Sequence, residues 1–234
     1  MSRWTFWLRA ESLSLLLNNG VHHLYINVEQ VRAFRTCSFF ISCEPPLILG
    51  GLKLNRSVLK FGGSSVSDFT KIKNIAEMLK TRVEQGEELI VVVSAMGKTT
   101  DQLMENVSTL TSTPKDQELA LLLTTGEQQT VSYLSMVLND ISVKAKAMTG
   151  YQAGIKTIGH HLKSKIAEIN PDTFNQAFEN NDVLVVAGFQ GINDEFELTT
   201  LGRGGSDTTA VALAASNQIP VSYTHLRAHE TSLH

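Results

Sequence analysis

One glycine-rich stretch of the chain reads Thr199-Thr-Leu-Gly-Arg-Gly-Gly-Ser-Asp-Thr-Thr-Ala210, and the apolar run Val211 to Ala215 follows it directly. This order predicts a loop that leads into the N-terminus of a helix. Glycines let backbone N–H groups approach a ligand closely, and the unpaired N–H groups of a first helical turn favour negative charge. Arg203 adds a planar guanidinium that suits a carboxylate or a phosphate. The stretch is typical of an anion-binding loop, although a turn that only closes a strand-to-helix corner fits it equally well.

A second loop shifts the balance towards ligand binding. Lys60-Phe-Gly-Gly-Ser-Ser65 follows a short apolar strand at Val58 and Leu59 and precedes a helical pattern that starts at Ser67. It too can present backbone amides, hydroxyls and a cation to an anion. Two such loops in one chain indicate a charged substrate that meets a phosphate donor, and we expect the turns near positions 60 and 203 to lie together.

Two common nucleotide motifs do not fit. Ser94-Ala-Met-Gly-Lys-Thr-Thr100 is similar to a Walker A loop only superficially, because the first glycine of that motif would fall on Val92, inside a strand. In the loop near Arg203, Gly202 and Gly204 match a dinucleotide fingerprint, but Asp207 occupies the place of the third glycine. The sequence therefore supports neither a P-loop NTPase nor a Rossmann dehydrogenase.

Strand and helix patterns alternate along the middle of the chain. Leu89 to Val93 and Val183 to Ala187 are continuous apolar runs, which are typical of parallel strands covered on both faces. Helical patterns separate them. The alternation predicts an α/β fold, a three-layer α/β/α sandwich with a mainly parallel central sheet and its glycine loops at the carboxyl ends of the strands.

Finer patterns give further expectations. Thr124-Thr-Gly-Glu127 interrupts the pattern of a long helix, and on pattern alone it indicates a kink with a solvated Glu127. Lys165 to Ile169 is expected to be an edge strand, and Asn193-Asp194 is expected to turn a hairpin back towards Leu198. His160 and His161 are expected to face water.

Composition excludes several classes of function. Twenty basic and 23 acidic residues in 234 leave a net charge of −3, so no basic footprint indicates nucleic acid. No apolar run is long enough to span a bilayer. Cys37 and Cys43 match no zinc or redox spacing, and the absence of cysteine from Gly51 onward excludes a thiol mechanism there. His225 and His229 have the spacing of a metal pair but lack further ligands nearby, so no metal site is predicted.

The two ends differ in character from the middle. Residues 1–56 hold no helical or strand period for long and are treated as an unassigned N-terminal extension. Residues 221–234 form a predicted non-native tail, because Val221-Ser-Tyr-Thr-His-Leu-Arg-Ala-His-Glu-Thr231 closely resembles the translation of a transposase adapter used for sequencing libraries. The predicted domain therefore covers residues 57–220.

Four motifs follow one another in this domain: Lys60-Phe-Gly-Gly-Ser-Ser65, Val92-Val-Ser-Ala-Met-Gly97, Thr125-Gly-Glu127 and Gly188-Phe-Gln-Gly191 followed by Thr199 to Thr208. In this order they resemble the motifs of the aspartate kinases, which have the amino-acid kinase fold. The resemblance runs from about Val58 to Asn217, and Tyr151-Gln-Ala-Gly154 is similar to the bacterial lysine-sensitive type. Each could occur by chance, but the ordered set is specific.

The resemblance implies a reaction, its partners and a set of site residues. The reaction is ATP-dependent phosphorylation of the side-chain carboxylate of L-aspartate, with Mg²⁺, in a cytoplasmic and oligomeric enzyme. Lys60 and Asp207 are the implied catalytic residues. The ATP phosphates would lie at Lys60, Phe61, Gly62, Gly63 and Ser64, and the substrate at Ser94, Thr100, Glu127, Arg203, Gly204, Gly205 and Ser206.

The resemblance also predicts how complete this chain is, and it leaves alternative functions open. In the family, the adenine and ribose site and the regulatory ACT domains follow the point where the tail begins, so the fold is expected to be incomplete and the chain inactive by itself. Acetylglutamate or uridylate kinases share the fold and are one alternative. A non-catalytic amino-acid-binding regulatory subunit is another.

Overall fold

The computed structural model describes residues 55–219 and 221–222. Residues 1–54 of the predicted extension lie outside the described residues, and its last two residues instead begin the first strand, at Asn55. Of the predicted tail, only Val221 and Ser222 are described, and their backbone pairs with that strand.

The described residues form nine strands and five helices. They are β1 (Asn55–Phe61), α1 (Phe69–Glu84), β2 (Glu87–Val93), α2 (Thr99–Leu110), α3 (Asp116–Asp140), β3 (Ala145–Met148), β4 (Ile155–Ile158), β5 (Lys165–Ile169), α4 (Asp172–Phe178), β6 (Val183–Ala187), β7 (Gln190–Ile192), β8 (Leu198–Thr200), α5 (Gly205–Ser216) and β9 (Val221–Ser222). Within this part of the chain, no helix combines the length and the apolar character that a bilayer crossing needs.

The main sheet has the order β3-β6-β2-β1-β9, and all of its pairs are parallel. Because successive strand residues point to opposite faces, each strand contributes to two cores. Leu89, Val91 and Val93 pack with α1 and α3 on one face, and Ile90 and Val92 pack with α4 and α5 on the other. The predicted three-layer α/β/α sandwich with a mainly parallel sheet is confirmed.

A second, mixed sheet has the order β5-β4-β7-β8. The predicted edge strand is confirmed as β5, and the predicted hairpin is confirmed as the antiparallel pair β7–β8. The sequence did not predict β4, which has only four residues. The position of β8 matters for the site, because this strand packs against α3 and leads directly into the loop that carries Arg203.

The long helix is not interrupted at Thr124 to Glu127. Helix α3 runs without a break from Asp116 to Asp140, so the predicted kink is wrong. A glycine is needed at position 126 for packing instead, because a Cβ added at Gly126 would lie 2.8 Å from the Cβ of Ala95. Gly126 therefore lets α3 pack directly against the residues that follow β2.

We expect Gly126→Ala to destabilise the protein. Alanine is the better helix former by about 1 kcal/mol, but overpacking against Ala95 costs about 1–3 kcal/mol. Denaturant unfolding measures the net change. Ser135→Ala in the same helix is the matched control, because it removes a buried hydroxyl without a partner among the described residues and should be neutral or stabilising. A Gly126→Ala protein at least as stable as the wild type would show that α3 and Ala95 do not pack so closely.

Candidate active site

Three neighbouring parallel strands end at one edge of the main sheet, and a loop follows each of them. Backbone hydrogen bonds join these loops in pairs. Ser94 N donates to Phe61 O at 3.1 Å, which links the ends of β1 and β2, and Gly188 N donates to Val93 O at 3.0 Å, which links the ends of β2 and β6. The motifs quoted from the sequence therefore lie side by side, as parallel pairing dictates.

The two glycine-rich loops meet through an ion pair. Lys60 Nζ lies 2.7 Å from Asp207 Oδ1, with the lysine side chain only 11% exposed and the aspartate 35%. Asp207 lies in the first turn of α5, one residue beyond Ser206. The contact brings the turns near positions 60 and 203 together, as the sequence predicts. It also places the ammonium group of Lys60 at the boundary between the two loops.

The loop after β1 lies against the loop after β2. Gly97 N donates to Gly63 O at 3.0 Å, and a Cβ added at Gly63 would lie 2.8 Å from Ala95 O. Only glycine fits this close backbone approach. Ser64 is exposed beside it, so its hydroxyl can reach a ligand.

Phe61 differs from the other residues predicted to bind nucleotide. Its side chain is fully buried in the core beneath α1 and α3, and its carbonyl oxygen accepts the Ser94 hydrogen bond. Phe61 thus anchors the start of the loop and does not present its side chain to a ligand.

Glu127 is buried and only partly paired. Its Oε1 accepts a hydrogen bond from Ala95 N at 3.1 Å, while its Oε2 has no hydrogen-bond partner among the described residues. Burial raises the pKa of Glu127 from 4.5 to about 7. The solvated carboxylate expected from the pattern alone is therefore wrong, and the helix instead holds an acceptor ready for a positively charged ligand group.

The loop that carries Arg203 combines an anchored base with an exposed tip. Gly204 has a φ of 75° and precedes α5, a conformation that favours glycine. Gly205 and Ser206 are buried, and Ser206 packs on Gly188 at the end of β6. Arg203 is exposed and has no ion-pair or hydrogen-bond partner within residues 55–219.

Ser94 and Thr100 complete the predicted set. Ser94 directly follows β2, and Thr100 lies in the first turn of α2; both are half-buried. Ser94 directly precedes Ala95, whose amide donates to Glu127, and Thr100 follows five residues later. Hydroxyls and a carboxylate thus come from one short segment and the helix behind it.

Two contacts near the site were not anticipated. Lys71 Nζ donates to Ser64 O at 3.0 Å and to Ser67 Oγ at 2.9 Å, so it fixes the loop after β1. The pair Asp68 and Lys71 at the start of a helical pattern is the signal that could have indicated it. His161 lies 2.7 Å from Glu197 and is only 28% exposed, so the expectation that it faces water is wrong.

A sequence model described as the amino acid kinase family matches residues 55–219. The chain belongs to the amino acid kinase family. Among curated proteins of this family, it is 46% identical over 159 residues to Aspartokinase 2 of Bacillus subtilis and 47% identical over 159 residues to the aspartokinase of Thermus thermophilus. Each alignment covers 68% of this chain and 39% of the relative.

A solved structure of this family agrees. The crystal structure of aspartate kinase from Synechocystis is 40% identical and has a TM-score of 0.60, with 71% of this chain and 28% of that chain covered. The chain therefore has the amino-acid kinase fold, and it spans about two fifths of the length of the curated relatives it matches.

The raised pKa of Glu127 predicts an unusual dependence of stability on pH. Between pH 4.5 and about 7 the folded protein holds more protons than the unfolded chain, so this residue lowers the free energy of unfolding as the pH rises. Glu127→Gln keeps the acceptor for Ala95 N and removes the titration. The stability of the variant relative to wild type should increase by about 1–3 kcal/mol from pH 5 to pH 8.

Urea unfolding at the two pH values measures this difference. The control is Glu118→Gln, an exposed residue of the same helix, whose stability relative to wild type should be much less dependent on pH. Equal pH dependence for the Glu127 and Glu118 variants would contradict a buried, partly paired Glu127.

Proposed function

We propose that the chain carries the substrate-binding part of an aspartate kinase, which phosphorylates the side-chain carboxylate of L-aspartate with ATP to give 4-phospho-L-aspartate. This is the first step of lysine, threonine and methionine biosynthesis. The observation that carries the proposal is the Lys60–Asp207 contact, because it places a loop suited to phosphates against a loop suited to an amino acid. The curated relatives, named aspartokinases, support the choice of substrate.

The reaction needs no general base. The side-chain carboxyl group of aspartate has a pKa near 4, so it is ionised at neutral pH and is already a nucleophile. One of its oxygens forms a bond to the γ-phosphorus while the bond from that phosphorus to the bridging oxygen of ADP breaks, and ADP leaves with the electron pair. Catalysis then depends on positioning and on positive charge around the moving phosphoryl group. Lys60 supplies that charge, with the amides of Gly62 and Gly63 and the hydroxyl of Ser64.

Two opposite charges recognise the amino acid. The guanidinium of Arg203 is the bidentate partner of the α-carboxylate, and the buried carboxylate of Glu127 is the partner of the α-ammonium. Ser94, Thr100 and Ser206 add hydrogen bonds. A ligand ammonium beside Glu127 favours the ionised carboxylate, so binding at neutral pH should release part of a proton.

Mg²⁺ would accompany ATP. Magnesium is commonly held by one or two carboxylates together with substrate phosphates. Residues 55–219 hold no group of three His, Cys, Asp or Glu side chains that could bind a metal alone, so the phosphates would supply most of the ligands of the ion. Asp207 is the carboxylate closest to Lys60. When bound, the ion would neutralise charge on the phosphates.

Alternative functions differ in what they would bind. An acetylglutamate kinase would not need an ammonium clamp, because its substrate has an acylated amine, and a uridylate kinase would need neither clamp. A non-catalytic regulatory subunit would bind the amino acid without any dependence on a phosphate donor. The oligomeric state of the intact enzyme and its cytoplasmic location stay predictions.

We expect Arg203→Ala to weaken L-aspartate binding by about 10- to 100-fold, since a charge-assisted bidentate contact is lost. β-Alanine lacks the α-carboxylate and should bind the variant and the wild type equally. Calorimetry on the chain measures both ligands. In the intact enzyme the aspartate KM should rise and the ATP KM should change little.

Lys156→Ala is the control for loss of a surface cation, because Lys156 lies on β4 with its side chain 59% exposed. It should leave both ligands unaffected. An equal loss of aspartate and ATP affinity in Arg203→Ala would contradict the assignment, and so would tight binding of L-aspartate to an intact protein that never transfers phosphate.

A further inference from the structure

We infer that the hydrogen-bonded cluster of His161 and Glu197 positions the Arg203 loop relative to α3. The inference rests on the proposed function in one respect, namely that Arg203 and Glu127 hold the two ends of one ligand. Neither His161 nor Glu197 touches the substrate in this scheme; both are positioning residues. The cluster is defined here as His161, Glu197, Asn193 and Gln117.

Glu197 connects three separate segments of the chain. Its Oε2 lies 2.7 Å from His161 Nε2, in the connection between β4 and β5, and accepts from Asn193 Nδ2 at 3.2 Å. Its Oε1 accepts from Gln117 Nε2, in the first turn of α3. The hydrogen bonds to His161 and Asn193 lower the pKa of Glu197, so the carboxylate stays ionised at neutral pH.

The contacts continue from the cluster to the Arg203 loop. Thr200 N donates to His161 O at 2.6 Å, and Leu201 N donates to Phe189 O at 2.8 Å. Beneath them, the buried hydroxyl of Thr199 lies 2.6 Å from that of Thr157 and accepts from Ser164 Oγ at 3.0 Å. The base of the loop is thus held from the cluster side, while Arg203 itself has no partner among the described residues.

The contacts also continue from the cluster to Glu127. Gln117 and Glu127 lie on the same uninterrupted helix, about 15 Å apart along its axis at 1.5 Å per residue. A second pair, His160 Nε2 to Asp116 Oδ2 at 2.8 Å, joins the same connection to the same helix end. The cluster therefore acts together with the direct packing of β8 on α3 to fix the distance between the carboxylate on α3 and the guanidinium beyond β8.

Two variants, each of which replaces one partly exposed glutamate by alanine, test the inference. Glu197→Ala removes every side-chain contact of the cluster centre, and its side chain is 30% exposed, so the fold should tolerate the change. Glu168→Ala is the matched control, since Glu168 pairs with Lys156 at 3.5 Å on the same sheet but outside the cluster.

The first readout is amide hydrogen exchange of the full chain, which needs no ligand. The amides of Thr200, Leu201 and Gly205 all donate hydrogen bonds, so they report the order of the loop. They should exchange about tenfold faster in Glu197→Ala and at the wild-type rate in Glu168→Ala. Unchanged exchange in Glu197→Ala would overturn the inference.

The second readout is L-aspartate affinity. Glu197→Ala should weaken it about tenfold, and it should cause no further loss when Arg203 is already alanine, because the cluster acts through Arg203. An additive loss in the double variant, or an unchanged affinity despite faster exchange, would overturn the positioning role. If the wild type bound no aspartate, the proposed function would fail, and the exchange data would still decide whether the cluster positions the loop.

Discussion

The parallel pairing of β1, β2 and β6 is the constraint on which the rest of the structure depends. Parallel strands place all of their carboxyl ends at one edge of a sheet, so the loops that follow them must share that edge. Three segments share this edge: the loop after β1, which begins at Lys60; the loop after β2, which begins at Ser94; and the turn at Gly188, against which Ser206 packs. These strands are buried on both faces, and the predicted site residues lie at or beyond their carboxyl ends.

Not every charged group near this edge has a partner among the described residues. Lys60 is paired with Asp207, but Arg203 has no partner among the described residues, and one oxygen of Glu127 is buried without one. A buried acceptor without a partner costs about 1–3 kcal/mol, so a ligand group that pairs with Glu127 would recover part of this cost. In the proposed function, the carboxylate and the ammonium of one amino acid supply the missing partners.

Sequence patterns predicted the elements better than the contacts between them. Continuous apolar runs were sufficient to predict β2 and β6, and the motif order was sufficient to predict the family. The role of Gly126 was not predictable, because it depends on the Cβ of Ala95, which comes from a different element. The pairing of His161 with Glu197 was not predictable for the same reason. The two polar residues are far apart in sequence and show no periodic pattern, and only the second sheet brings them together.

Glu127 also bears on how the site would discriminate between ligands. A dicarboxylate without an amine would leave its buried oxygen unpaired or would require a proton on it, whereas an amino acid completes the pair with its ammonium. Discrimination of this kind does not depend on a tight cavity, because the penalty falls on the protein when the ligand lacks the matching group. A pKa of about 7 makes this penalty depend on pH, since a protonated Glu127 needs no cation. The selectivity for an amine should therefore be strongest above neutral pH, where the empty site holds an ionised carboxylate.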